Sequence, residues 1–149
     1  MMITESLKPL YNRDLNRLKI EIESYKDEKI LWKIDKNISN SAGNLCLHLV
    51  GNLSHFIGAI LGNSRYIRYR DQEFSLKNVP KGKLIEKIQS TIEIVDSTLN
   101  KLSKEDLEKE YPVESLGYTM TTEYFLIHLI GHLQYHLGQI NYHRRLLDI

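Results

Sequence analysis

Apolar residues recur three and four positions apart through most of this 149-residue chain, and that spacing limits its folds more than any other feature. In the first segment Leu7, Tyr11, Leu15, Leu18, Ile22 and Tyr25 fall on one stripe of a helix, predicted from about residue 4 to 27. Pro9 sits near its start, where a missing N–H costs least. A polar connection follows, in which Ser39, Asn40 and Ser41 are N-cap candidates, and Trp32 and Ile34 are expected to cover one end of the fold. The second helix is predicted to run through "NLCLHLVGNLSHFIGAILGNSRYIRY", its first two-thirds apolar nearly all round and therefore deep.

"RDQEFSLKNVPKG" reads as a loop, punctuated by Pro80 and Gly82. A third helix spans roughly Lys83 to Leu102, with Leu84, Ile88, Ile92, Val95 and Leu99 inward. Ser103 can cap a further turn or two before "YPVESLGYTM", which has room for an extended stretch. Thr121 or Thr122 caps a fourth helix reaching about Leu147, with Glu123 at the positive end of its dipole. Four long helices without a convincing strand pair predict an all-α four-helix bundle, one domain over residues 1–149, with short extra helical turns in the connections.

Composition removes several function classes. Twenty Lys and Arg against nineteen Asp and Glu leave no net field to attract nucleic acid or a membrane surface. No run reaches the roughly 18–20 apolar residues of a membrane span. One cysteine, Cys46, cannot build a disulfide framework, and "MMITESLKPLYNRDL" lacks the basic start and apolar run of a signal peptide. The expectation is a cytoplasmic protein. Cys46, two residues from His48, points to the other side of its helix and is expected in the core. Arg65, Arg68 and Arg70 with Tyr66 and Tyr69 read as a solvated helix end.

The chemistry is concentrated in "HLIGHLQYHLGQINYH", which carries four of the six histidines. At about 100° per residue, His128, His132, His136, Gln139 and His143 share one narrow stripe of an otherwise apolar helix. His48, Asn52 and His55 form a matching line on the second helix. An i, i+4 histidine pair with a third imidazole from a neighbouring helix can hold one metal ion and leave room for water. His48 and His55 lie about 10 Å apart along the axis, so both cannot serve one ion, and geometry alone does not choose between them. His128 and His143 are assigned outer positions, and a helix-end histidine such as His143 is expected to be solvated or set against the helix dipole.

The run "HLQYHLGQI", with "LCLHLVGNLSHFIGAIL" on the earlier helix, resembles the DinB-like superfamily of four-helix-bundle proteins. The family motif is a histidine near the start of the second helix and a final-helix His-x-x-x-His followed by x-Gly-Gln. The resemblance implies His48, His132 and His136 as metal ligands, with Gly138 and Gln139 as the Gly-Gln. It also implies a divalent cation, often a homodimer, and in some branches transfer chemistry on bacillithiol, mycothiol or glutathione.

Three neutral imidazoles suit Zn²⁺ or Ni²⁺, and also Fe²⁺ or Mn²⁺. Such an ion lowers the pKa of a bound thiol or water. The two expectations are thus a metal-dependent enzyme acting on a small-molecule thiol or on water, and a non-catalytic metal-binding or structural bundle dimer. "HLQYH" is not the metalloprotease HExxH, because Leu133 stands where that motif needs its glutamate. Asn52, His55, His128 and Gln139 are the candidates for a base, a substrate contact or a partner to a ligand. Gly138 is expected to allow close helix packing.

Overall fold

The computed structural model describes residues 1–149 and is all-α. Four helices make the bundle: α1 (Thr4–Glu23), α2 (Ala42–Leu53, continued by a π-helical turn over Ser54–Ala59), α4 (Lys81–Lys101) and α6 (Thr122–Leu147). Two short helices, α3 (Arg70–Ser75) and α5 (Lys104–Glu108), lie in the connections, with a 3₁₀ turn over Glu28–Trp32. Helix α1 packs against α4 and α6, and α2 packs against the same two from the opposite corner. The predicted apolar stripes meet inside this ring, where Tyr11, Leu18, Leu49, Leu53, Leu84, Ile88, Phe125 and Leu133 are almost fully buried. Every residue of α2 from Ala42 to Leu53 is buried, as an all-round apolar helix requires.

The caps follow the chemistry of their residues. Ser41 Oγ accepts from Asn44 N–H at the start of α2, and Thr121 Oγ1 accepts from Tyr124 N–H at the start of α6. Ser103 and Asp106 form a reciprocal capping box on α5. The "YPVESLGYTM" connection is closed by a single antiparallel bridge between Glu110 and Thr121.

Several boundaries differ from the sequence reading. Helix α1 stops at Glu23 rather than 27, where Ser24 turns its hydroxyl back onto the Ile20 carbonyl. The second helix does not reach Tyr69: it loosens at Ser54 and ends near Gly62, where Asn63 takes a left-handed backbone at φ 51°. The stretch read as a loop contains α3, which packs on α2. Trp32 lies against Gly43, whose missing side chain makes room for the indole, but Ile34 is about half exposed.

Candidate metal centre

Helix α2 and helix α6 are neighbours, and their histidine lines meet. One ring nitrogen from each of His48, His132 and His136 lies within 4.8 Å of the others. His48 Nε2 and His132 Nε2 are 3.1 Å apart, and the His132 and His136 ring centres are 4.6 Å apart. His48 is buried, while His132 and His136 are partly exposed. The group could therefore hold a metal ion that is still reachable from one side.

Hydrogen bonds determine which nitrogens are free. His48 Nδ1–H donates to Glu73 Oε1 at 3.0 Å, and His136 Nδ1–H donates to Gln139 Oε1 at 2.6 Å. Both acceptors are oxygen atoms, so in the neutral rings the Nε2 atoms keep their lone pairs. His132 Nδ1 is buried without a partner. Burial, reinforced by the neighbouring imidazoles, pushes the His132 pKa down to about 4, and burial lowers that of His136. These rings are thus held neutral near pH 7, the form in which imidazole binds a cation.

The remaining candidates separate. Asn52, one turn beyond His48, is buried, and its Oδ1 has no partner. Asn52 Oδ1 and His132 Nδ1, on the two helices that carry the histidines, are thus both buried polar atoms left to be satisfied by water or a ligand. His55 falls outside the cluster. It lies in the π turn, half-buried with its ring on Phe56, because the wider turn breaks the helical phase that would align it with His48 and Asn52. His128 is exposed, stacked between Phe125 and the outer side of His132.

Two other expectations are corrected. His143 is neither solvated nor paired with the dipole: it is buried, accepts from Tyr25 O–H at 2.8 Å and donates to the Lys33 carbonyl at 2.9 Å. Gly138 faces open space, with nothing within 4 Å of where its Cβ would be, so it permits no close packing within this chain. Cys46 lies in the core as expected, and burial raises its thiol pKa to about 12.

Behind His48 stand Glu73, not singled out in the sequence, and Arg68, expected there at a solvated helix end. Glu73, on α3, is 5 % exposed. Its carboxylate accepts from His48 and also from Arg68, through Nε at 2.8 Å and Nη2 at 2.9 Å. Arg68 is thus not part of a solvated helix end, although Arg65 and Arg70 are exposed. Burial pushes the Glu73 pKa up, but the hydrogen bonds from His48 and Arg68 together outweigh it and hold the carboxyl below its ordinary value. Asn44 holds α3 in place by donating to the Glu73 and Leu76 carbonyls.

Beside the cluster a cleft of about 770 Å³ opens between α6 and the 35–40 segment. Tyr135, His136, Gln139 and Tyr142 line it from the helix, and Lys36 and Ser39 from the segment. His136 belongs to both cluster and cleft, so a molecule in the cleft abuts the histidines.

The crystal structure of a DinB-like protein from Bacillus cereus ATCC 10987 has a similar fold, with a TM-score of 0.73 over 95% of this chain and 91% of that one at 17% identity. No curated protein matches the chain in sequence. A family model covers residues 6–148, and by it the chain belongs to DUF1572, a protein family of unknown function within the DinB-like superfamily.

Proposed function

We propose that this protein is a divalent-metal enzyme that binds its ion through His48, His132 and His136 and activates a small thiol for transfer to an electrophile. The observation that carries this reading is the convergence of three imidazole nitrogens within 4.8 Å, two of them with Nδ1 tied to an oxygen acceptor. Zn²⁺ or Ni²⁺ suits an all-imidazole set best, with Fe²⁺ and Mn²⁺ as further occupants. Bound there, such an ion supplies Lewis acidity, which lowers the pKa of a thiol or water beside it.

The chain's own residues favour the thiol. Hydrolysis at such a centre works best with a free carboxylate base, but Leu133 fills the position where HExxH carries one. Glu73 is already held by His48 and Arg68. A thiol, with an ordinary pKa of about 8.5, needs less help to ionise than water. His136 and Gln139 orient what enters from the cleft, and Tyr135 and Tyr142 offer it apolar ring surface. His128, exposed at the outer edge, is available to take up the released proton.

Elemental analysis of the purified protein and of the His132→Ala/His136→Ala variant tests the ion; equal metal content in both would sink the reading. A screen of metal-loaded protein against low-molecular-weight thiols and an electrophile panel tests the reaction, and inactivity with every thiol would shift the assignment to hydrolysis or to no catalysis.

A second reading, a non-catalytic metal-binding or structural homodimer, is favoured by the outer face of α6. Tyr124, Ile127, Tyr135, Tyr142 and Leu146 are all at least about half exposed there, with Gly131 and Gly138 between them and nothing against either. The spacing from Tyr124 through Ile127 to Gly131 is mirrored from Arg145 through Tyr142 to Gly138. An antiparallel second copy would therefore set Gly131 of one chain opposite Gly138 of the other, the self-complementarity of a twofold contact. Sedimentation of the wild type and a Tyr142→Glu variant tests it: a monomeric wild type removes this reading.

A further inference from the structure

We infer that Glu73 is the positioning residue for His48: it holds the proton on Nδ1 and so keeps Nε2 open toward His132 and His136. The inference rests on the metal reading above and adds a role for a residue of α3, outside the two helices that carry the ligands.

A carboxylate can only accept, so the 3.0 Å contact from His48 Nδ1 requires the proton to be there. A charged acceptor makes that bond stronger than a neutral one and raises the basicity of the ring at its far nitrogen. A lone buried carboxylate would not persist in this environment. Arg68 supplies the compensation, with two parallel N–H donors that fix both oxygens and hence the direction of the group.

The main chain has been shaped around the same group. Glu73 lies where a side chain at Gly51 would have been: a Cβ there would sit 2.6 Å from Glu73 Cδ and overlap Oε2. Gly51 is one helical turn beyond His48, inside a helix all of whose positions are buried. A glycine in a helix interior is unfavourable relative to alanine. Room for the carboxylate is what this glycine provides. An Arg68–Glu73 pair serving only to pin the 63–76 segment would not need Oε1 turned to the imidazole.

The test uses the full chain, wild type and Glu73→Met, which keeps the bulk and removes the acceptor. In metal-free protein at pH 8, ¹⁵N–¹H spectra of the imidazoles are expected to show His48 as the Nδ1–H tautomer in wild type and as Nε2–H in the variant. Titration with Zn²⁺ against a chromophoric chelator is expected to show about 10- to 100-fold weaker binding by the variant, at unchanged helicity. An unchanged tautomer, or an unchanged affinity, overturns the inference. If Glu73→Met does not fold, Gly51→Ala displaces the carboxylate without removing it and must give the same two shifts. Absence of Zn²⁺ binding by wild type would overturn the metal reading, while the tautomer comparison would still decide whether Glu73 sets His48.

Discussion

Helix α6 carries two kinds of histidine site between His132 and His143. At one end, His143 is satisfied inside the chain, since Tyr25 donates to one ring nitrogen and the Lys33 carbonyl accepts from the other. At the other end, His132 and His136 share the same helix stripe, but their cluster ends in nitrogens directed at one another and at His48. The residue type and helical phase are the same. What differs is the supply of partners: the connection after α1 brings both the Tyr25 hydroxyl and the Lys33 carbonyl to His143, whereas α2 brings another imidazole to His132. A histidine closed by its own chain is a structural pin, and one left facing other imidazoles is available to a cation.

The sharpest break of that comparison is His132→Ala/His136→Ala. Bound metal is expected to fall to background by elemental analysis, with little change in urea stability of the metal-free protein. His143→Ala should do the reverse. Metal content stays, while unfolding in urea shows a loss of about 3 kcal/mol from a cavity and two stranded polar groups. Loss of both properties in either variant would erase the distinction between the two ends.

The distinction also has a pH signature. Burial lowers the His143 pKa, so below about pH 6.5 the unfolded chain takes up a proton that the folded one resists. His143 therefore costs no stability above about pH 6.5, and stability falls progressively as the pH drops from there toward its folded value. Urea midpoints of metal-free protein at pH 8 and pH 5 should differ accordingly, with a smaller difference in His143→Ala. His132 and His136, also lowered, add to the wild-type slope with the same sign.

Gln139→Leu removes the acceptor of His136 Nδ1–H from an exposed position, and about tenfold weaker Zn²⁺ binding without loss of stability is expected by chelator competition. The smallest effect is Gly138→Ala. With nothing near that position, thermal unfolding should show a gain of about 0.5–1 kcal/mol. A loss, or a midpoint that depends on protein concentration, would mean that a second copy covers the outer face of α6.

Much of this arrangement was legible in the sequence. Three-four periodicity placed α1, α4 and α6, because long amphipathic stripes have one geometric solution, and Ser41, Ser103 and Thr121 announced their helix starts. The meeting of His48 with His132 and His136 required the likeness to a known family, since one chain's spacing does not tell which turn of α2 faces which turn of α6. Helix α3 was invisible because six residues are too few for a period, and its Phe74 is the only large apolar residue among them. Glu73 was missed for a related reason: a glutamate amid polar residues is ordinarily solvated. Its one trace was Gly51, a glycine without a turn deep inside a fully buried helix. The π turn left no mark, because a period near 4.4 cannot be told from 3.6 over the six residues of Ser54–Ala59.

The cluster joins positions 84 residues apart in the chain, one of them on the last helix. No N-terminal fragment that stops before α6 can therefore contain it, however well its own helices form. During synthesis His48 and Glu73 leave the ribosome well before α6, and the three nitrogens converge only once that helix has docked. Capture of an ion at this place thus reports completion of the whole fold. A chain truncated or stalled before α6 displays only His48 of the cluster's three histidines.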